Sequence, residues 1–125
     1  MSDPVELHVA CPDADTGLLI ARAAVEARLA ACGNVLRGVT SVFRWEAAVE
    51  EDGEALLVLK TVSSRTAALT RLIRDQHPYD LPAITWHEIA ADEATARWLC
   101  DETTDPELPQ TGTDGQAEPA TDVPR

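Results

Sequence analysis

Hydrophobic and polar residues alternate most regularly between Val35 and Glu46, which predicts a β-strand. One face of it carries Val39, Ser41, Phe43 and Trp45, and the other carries Thr40, Val42, Arg44 and Glu46. A strand of this length spans roughly 40 Å at about 3.3 Å per residue, about twice the usual strand length. The more evenly apolar run Glu54–Thr61 predicts a return strand. The pattern therefore indicates a long β-hairpin, and Asp52–Gly53 is a pair that favours a type I′ turn.

The predicted hairpin is too long for a domain of this size to cover. It would place Phe43 and Trp45 on a protruding two-stranded arm, and an apolar free edge of this kind associates with other chains. We therefore expect neighbouring copies of the chain to cover the arm, so that the protein is an obligate oligomer.

The segments before the hairpin predict one strand and one helix. Val5–Cys11 alternates loosely and predicts the first strand. Asp13 is a favourable N-cap for an alanine-rich helix that runs to about Ala31. Gly33 stands where a left-handed residue would end that helix.

The segments after the hairpin predict a second helix, a fourth strand and a last helix. Ser63 or Ser64 is expected to cap the second helix, which Pro78 ends. Its inner face carries Leu69, Leu72 and Ile73. Leu81–Ile89 predicts the fourth strand, and Asp92 opens a short helix with Trp98 and Leu99. The order β-α-β-β-α-β predicts an α+β protein with a ferredoxin-like sandwich, a protruding hairpin and a C-terminal helix.

This topology predicts two clusters of side chains at opposite ends of the sheet. The first helix separates Cys11 from Cys32 by roughly 25 Å at about 1.5 Å per residue, so the two thiols cannot form one site within a chain. One end is expected to hold Cys11, Trp45, Glu46, His77 and Tyr79, and the other Cys32, Asn34, Lys60 and Thr61.

Composition narrows the class of protein. The 125 residues carry a formal net charge of −12, which disfavours nucleic-acid binding. Three cysteines without a CxxC motif argue against a disulfide framework and a zinc ribbon. No apolar run approaches the roughly 20 residues of a membrane span and no signal sequence is evident, so we expect a cytoplasmic protein without membrane contact. The acidic, proline-containing stretch 103–125 is expected to be a disordered tail that follows a domain of residues 1–102.

Several segments together resemble the CutA family of divalent-cation tolerance proteins. They occur in the family's order and spacing: Leu29–Asn34, Gly38–Glu46, Glu50–Asp52, Leu59–Thr61 and His77–Pro82. The resemblance covers about residues 4 to 101. It implies a ferredoxin-like protomer in a tight homotrimer, similar to the PII signalling proteins, with hairpins that extend onto neighbouring subunits.

The chain departs from the family pattern at two places. Ala47–Ala48 replaces the glycine that usually follows the Trp-Glu pair at the hairpin turn. If the turn nevertheless lies there, Gly53 is expected to mark a bulge in the third strand. Trp86–Glu88 replaces the usual apolar-proline end of the fourth strand.

The resemblance implies a copper or other divalent-cation site that uses Cys11 and His77. A thiolate and an imidazole are ligands that copper prefers, but two ligands make a weak site unless a second subunit or His87 contributes. The alternative is structural: His77 caps the end of a helix and Cys11 packs as a small hydrophobic residue.

Four further residues match family motif positions and are candidates for a cleft: Trp45, Glu46, Lys60 and Tyr79. Lys60 ends an apolar strand and needs a partner, either a carboxylate such as Glu46 or an anionic ligand. No phosphate loop, GxSxG or HExxH motif occurs, so an enzyme is not expected. The leading hypothesis is a homotrimeric metal-ion tolerance protein. The alternative is a PII-like module that binds a small ligand or a partner without a direct role for metal.

Overall fold

A computed structural model describes residues 2–104, which form a four-stranded antiparallel sheet covered by helices. The elements in chain order are β1 (Pro4–Cys11), α1 (Ala14–Glu26), β2 (Cys32–Trp45), β3 (Ala48–Val62), a 3-10 turn (Ser63–Arg65), α2 (Thr66–Gln76), β4 (Ile84–Glu88) and α3 (Glu93–Glu102). The strand order β2-β3-β1-β4 confirms the predicted ferredoxin-like α+β fold. No helix within the described residues is long and apolar enough to cross a membrane.

The core lies between one face of the sheet and the helices α1 and α2. Along β1 every second residue is buried, as expected for a strand with one face on the core. The largest fully buried side chains of this layer are Leu7, Ile20, Leu57, Leu59, Leu69 and Ile73. The second face of the sheet carries partly exposed polar side chains, among them Glu6, His8 and Lys60.

Helix α1 begins as predicted and ends earlier than predicted. The Asp13 side chain accepts a hydrogen bond of 2.8 Å from the Thr16 backbone N–H, which confirms the N-cap. The helix ends at Glu26, and Arg28 with φ 62° takes the left-handed position that the sequence assigned to Gly33. Gly33 lies inside β2, where a Cβ atom would stand 2.8 Å from Leu59 Cδ2. Close packing of β2 on the core, and not a turn, therefore requires this glycine.

The hairpin is as long as predicted, but its turn and its bulge lie elsewhere. The turn is Glu46–Ala47, with φ values of 52° and 68°, and the prediction of a turn at Asp52–Gly53 is wrong. Gly53 pairs regularly with Thr40, and the bulge lies in β2, where Arg37 and Gly38 stand opposite one residue of β3. The strand pairs that form between Asp52 and the tip of the hairpin stabilise the structure more than a turn at Asp52–Gly53 would.

The ends of α2 and α3 differ in how they are capped. No serine side chain caps α2; the Thr66 hydroxyl donates to the Ser63 carbonyl across the preceding 3-10 turn instead. Asp92 accepts from the Thr95 N–H and confirms the predicted start of α3. Thr103 is buried and its hydroxyl donates to the Leu99 carbonyl, so the folded domain includes the first residue of the predicted tail. The hydroxyl of the next residue, Thr104, donates to the Cys100 carbonyl. Residues 105–125 of the predicted tail lie outside the described residues.

Candidate functional site

One end of the sheet carries a pocket between the protruding part of the hairpin and the loop from α2 to β4. The cavity measures about 570 Å³. Its walls include Ala10, Ser41, Phe43, Trp45, Asp52, Glu54, Tyr79, Asp80 and Leu81. Ser41, Phe43 and Trp45 belong to one face of β2, as the alternation along the strand predicted. The pocket thus combines aromatic walls with three carboxylates.

Of the five residues that the topology placed at this end, Trp45 and Tyr79 line the pocket. Cys11 ends β1 beside it and His77 follows α2 there. Glu46 occupies the hairpin turn, at the far tip of the arm. The structure thus brings Cys11, His77 and Tyr79 to one end of the sheet, and the pocket wall extends from there along the arm to Trp45, whereas Glu46 lies in the turn.

His77 is buried and makes hydrogen bonds to α2, to β1 and to the α2–β4 loop. Its Nε2 lies 2.9 Å from the Ala10 carbonyl oxygen of β1, and its Nδ1 accepts a 3.2 Å hydrogen bond from the Tyr79 backbone N–H. Because Nδ1 is the acceptor, Nε2 carries the proton and donates to Ala10, which is the arrangement of a neutral imidazole. Both ring nitrogens are thus occupied within the protomer, in agreement with the structural alternative for this residue.

Cys11 is fully buried next to the pocket. Burial, followed by the negative charges of Asp13 and Glu54, raises the pKa of the Cys11 thiol to about 11. The side chain is therefore a neutral thiol near pH 7. It becomes a good metal ligand only if the arriving cation displaces its proton.

A residue that the sequence did not single out, Glu54, connects the pocket's two walls. The Tyr79 hydroxyl lies 2.5 Å from Glu54 Oε2 and donates to it. Burial and this hydrogen bond to a carboxylate raise the pKa of Tyr79 above its ordinary value, so the phenol keeps its proton. Glu54 opens the predicted return strand and belongs to no motif, and only the path of the α2–β4 loop brings Tyr79 to it.

Lys60 lies at the opposite end of the sheet, as predicted, away from the other cleft candidates. Its Nζ is 3.9 Å from Glu6 Oε1 on the neighbouring strand. The predicted need for a carboxylate partner is met, although by Glu6 and not by Glu46. Lys60 is therefore not part of the pocket in a single protomer.

A metal centre formed by three or more His, Cys, Asp or Glu side chains is absent from residues 2–104. Cys11 and His77 lie at one end of the sheet, but the Cys11 thiol keeps its proton and both ring nitrogens of His77 make hydrogen bonds. Their role as metal ligands stays a prediction.

The sheet order, the overlong hairpin and the pocket along it define a class: ferredoxin-like domains that carry a cleft beside a protruding β-arm. The family model "CutA1 divalent ion tolerance protein" matches residues 5–102, and the chain belongs to this family. The predicted family resemblance is confirmed.

Individual relatives agree with this assignment. The chain is 45% identical over 76 residues to "Protein CutA" of Mus musculus, a match of 61% of this chain and 43% of the mouse protein. It thus spans less than half the length of that relative. It is 40% identical to "Divalent-cation tolerance protein CutA" of Thermus thermophilus over 66% of this chain and 80% of that protein. The solved structure of the Thermus thermophilus protein superposes on this chain with a TM-score of 0.78 and 35% sequence identity. The match covers 81% of this chain and 99% of the Thermus chain.

Proposed function

We propose that this divalent-cation tolerance protein acts as a homotrimer and binds copper or another divalent cation weakly at the end of the sheet that holds Cys11 and His77. The observation that carries the proposal is that both residues lie at one end of the sheet: the His77 ring donates to the carbonyl of Ala10, the residue before Cys11. A soft thiolate and an imidazole form a ligand set that suits copper.

The proposal of weak binding follows from the state of both ligands. An ion that binds Cys11 must displace a proton from a thiol whose pKa is about 11. An ion that binds His77 must replace a hydrogen bond to Ala10 or to Tyr79. Both costs lower the affinity, and two protein ligands leave further positions for water or for a neighbouring subunit.

The proposal of a trimer is supported by the exposed surface of the arm. In one protomer, β1 pairs with β3 only between Val62 and Ala55, so residues 39–54 extend beyond the rest of the sheet. Phe43 and Trp45 are 37% and 44% exposed there, and Val42 and Val49 are more exposed still. A long arm with apolar side chains on both faces is stable in water when other chains cover it.

Titration with copper(I), the oxidation state that thiolates favour, and with Zn²⁺ as a divalent probe tests the proposed ligands. We expect Cys11→Ser and His77→Gln each to weaken binding at least about tenfold, because each removes one of two protein ligands. Cys32→Ser is the matched control, since Cys32 lies at the other end of the sheet and should bind as the wild type does. Unchanged affinity in both ligand variants would contradict the proposal that Cys11 and His77 bind the ion.

A second candidate function is favoured by the pocket itself. A cavity of about 570 Å³ with aromatic walls lies in the size range of small-ligand sites. In this PII-like alternative Trp45 and Tyr79 hold a small molecule and metal is incidental. A ligand screen by thermal shift separates the two, because a ligand that binds the native state raises the melting temperature. Stabilisation that is lost in Trp45→Leu and kept in Trp98→Leu would favour this alternative.

A further inference from the structure

The open face of the sheet, which points away from α1 and α2, continues the aromatic face of the arm. Phe43 pairs with Glu50, and Lys60 lies an even number of residues further along β3, so Phe43 and Lys60 point to the same side of the sheet. Trp45, two residues after Phe43, shares that side. Neighbouring copies that cover the aromatic face of the arm, as in the proposed trimer, therefore lie over the side of the sheet that carries Lys60.

Apolar side chains on the open face support its burial in the assembly. Leu36 is 47% exposed in one protomer, and its partner Leu56 and the nearby Val58 are partly exposed. All three lie on the side of the sheet that α1 and α2 leave uncovered. An apolar strip of this kind in the middle of a sheet is typical of an interface between chains.

Glu6 stands at the centre of a polar cluster on this face, and the polar side chains around it are basic. His8 Nε2 donates a 2.8 Å hydrogen bond to Glu6 Oε2, and Lys60 Nζ lies 3.9 Å from Glu6 Oε1. His87 is the residue opposite Glu6 on β4. The ring centroids of His8 and His87 are 5.8 Å apart. One ammonium group and two imidazoles thus surround a single carboxylate.

The charge of this cluster depends on the two imidazoles. The hydrogen bond from His8 is the largest cause that lowers the pKa of Glu6, and Lys60 lowers it further, so the carboxylate stays ionised in mild acid. With neutral imidazoles, the charges of Glu6 and Lys60 balance each other. Histidine is the side chain that ordinarily gains its proton between about pH 8 and pH 5. Protonation of His8 and His87 therefore places three positive charges around one carboxylate.

The other charged groups around the cluster do not neutralise these imidazoles within one protomer. Glu88 follows His87 and points to the opposite side of β4. The next carboxylate of the open face, Glu54, lies four residues from the residue opposite His8, roughly 13 Å away at about 3.3 Å per residue. Helix α3 packs against β3 and β1, and its charged side chains are Glu93, Arg97, Asp101 and Glu102. Among residues 2–104, Glu6 is the only carboxylate that forms an ion pair with either imidazole.

We propose, on the basis of the proposed trimer, that His8 and His87 form a pH-sensitive switch whose protonation in mild acid weakens the assembly. In a separated protomer water reaches both imidazoles, since the His8 side chain is 34% exposed and His87 is exposed. In the assembly the same face is buried, and burial of positive charges that outnumber their carboxylates is costly. The separated protomer therefore binds protons more readily than the assembly does, so dissociation becomes more favourable as the pH falls.

The experiment measures the mass of the full chain by light scattering at micromolar concentration, with EDTA present so that bound cations do not contribute. We expect the mass of a trimer at neutral pH and dissociation with a midpoint between about pH 5 and 6.5, with the far-ultraviolet circular dichroism retained. The double variant with His8→Gln and His87→Gln should keep the mass of a trimer to a pH lower by about one unit or more, because glutamine gains no proton.

Two further variants should shift the midpoint in opposite directions, which misfolding does not imitate. Lys60→Met removes a positive charge and should lower the midpoint, whereas Glu6→Gln removes the compensating carboxylate and should raise it. Arg71→Gln is the matched control, since it removes a charge from the exposed surface of α2, outside the open face, and should leave the midpoint unchanged.

Three results would contradict the switch. A mass that stays that of a trimer until circular dichroism reports unfolding, or a midpoint that the double variant does not move, would overturn the switch and leave the proposed trimer standing. An assembly that tightens in mild acid would also overturn it, because carboxylates of a neighbouring copy would then face the imidazoles. A wild-type chain that is monomeric at neutral pH would overturn the trimer and the switch together.

Discussion

The Tyr79 hydroxyl donates a 2.5 Å hydrogen bond to Glu54 Oε2, and this bond fastens the α2–β4 loop to the base of the hairpin. Two walls of the pocket therefore depend on one contact between residues 25 positions apart in the chain. The same loop contains the His77–Tyr79 interaction, so the bond also holds the imidazole of His77 over the end of β1.

A double-mutant cycle on this pair should show coupling. We expect Tyr79→Phe and Glu54→Gln each to lower the free energy of unfolding, with an interaction energy of about 1 kcal/mol, because the acceptor is a carboxylate but the pair is partly exposed. Urea unfolding of the wild type, both single variants and the double variant measures it. Strictly additive effects would mean that the bond contributes nothing in solution.

Two glycines of the hairpin strands should respond oppositely to alanine. A Cβ at Gly33 would stand 2.8 Å from Leu59 Cδ2 and 3.0 Å from Ala21 Cβ, whereas a Cβ at Gly53 meets nothing within 4 Å. We expect Gly33→Ala to destabilise the fold by about 1–3 kcal/mol through overpacking. Gly53→Ala should be neutral or stabilising by up to about 1 kcal/mol, because it restricts the unfolded chain. Denaturant midpoints of the two variants test the contrast, and equal effects would contradict the packing of β2 described above.

The hairpin turn offers a stabilising substitution. Glu46 and Ala47 both adopt positive φ, a conformation that costs about 1–2 kcal/mol for residues other than glycine, asparagine and aspartate. The replacement of Glu46–Ala47 by Asn-Gly should therefore stabilise the protein by about 1 kcal/mol or more. A raised melting temperature at unchanged molecular mass is the expected result. The single change Ala48→Gly, one residue into β3, serves as the control and should not stabilise.

Much of the fold follows from the sequence because it rests on periodic patterns. The alternation along Val5–Cys11 and the stripe of Leu69 and Ile73 are properties of single elements, and topology then places Cys11 and His77 at one end. The turn, the bulge and the end of α1 depend on competition between local preference and pairing with distant strands. The Glu54–Tyr79 bond depends on the path of a loop, and the occupied nitrogens of His77 depend on orientation, so neither could be read from spacing.

Acid should destabilise the protein partly through the cap of α1. The hydrogen bond from the Thr16 backbone N–H is the largest cause that lowers the pKa of Asp13 below its ordinary value of 3.8. The hydrogen bond from the Thr16 side chain is the second. For a carboxyl group with a lowered folded-state pKa, the stabilisation is complete above the unfolded-state pKa and is lost as the pH falls through the folded-state value. Asp13→Asn keeps a capping side chain that does not titrate. Its loss of stability below about pH 4 should therefore be shallower than that of the wild type in melting curves recorded against pH.

The assembly should depend on the aromatic face of the arm. Trp45 and Trp98 are equally exposed in one protomer, at 44%, but Trp45 lies on the protruding hairpin and Trp98 on α3. Neighbouring copies that cover the arm bury the apolar side chains of Trp45 and Phe43, and each Å² of apolar surface buried stabilises the assembly by roughly 25 cal/mol. Trp45→Ala removes part of this surface, and Phe43→Asp replaces part of it with a charge. We expect both variants to dissociate toward monomers in light scattering at micromolar concentration, whereas Trp98→Ala keeps the wild-type mass. A wild-type chain that is already monomeric under these conditions, or a Trp98→Ala variant that dissociates as readily as Trp45→Ala, would show that the arm does not hold the assembly together.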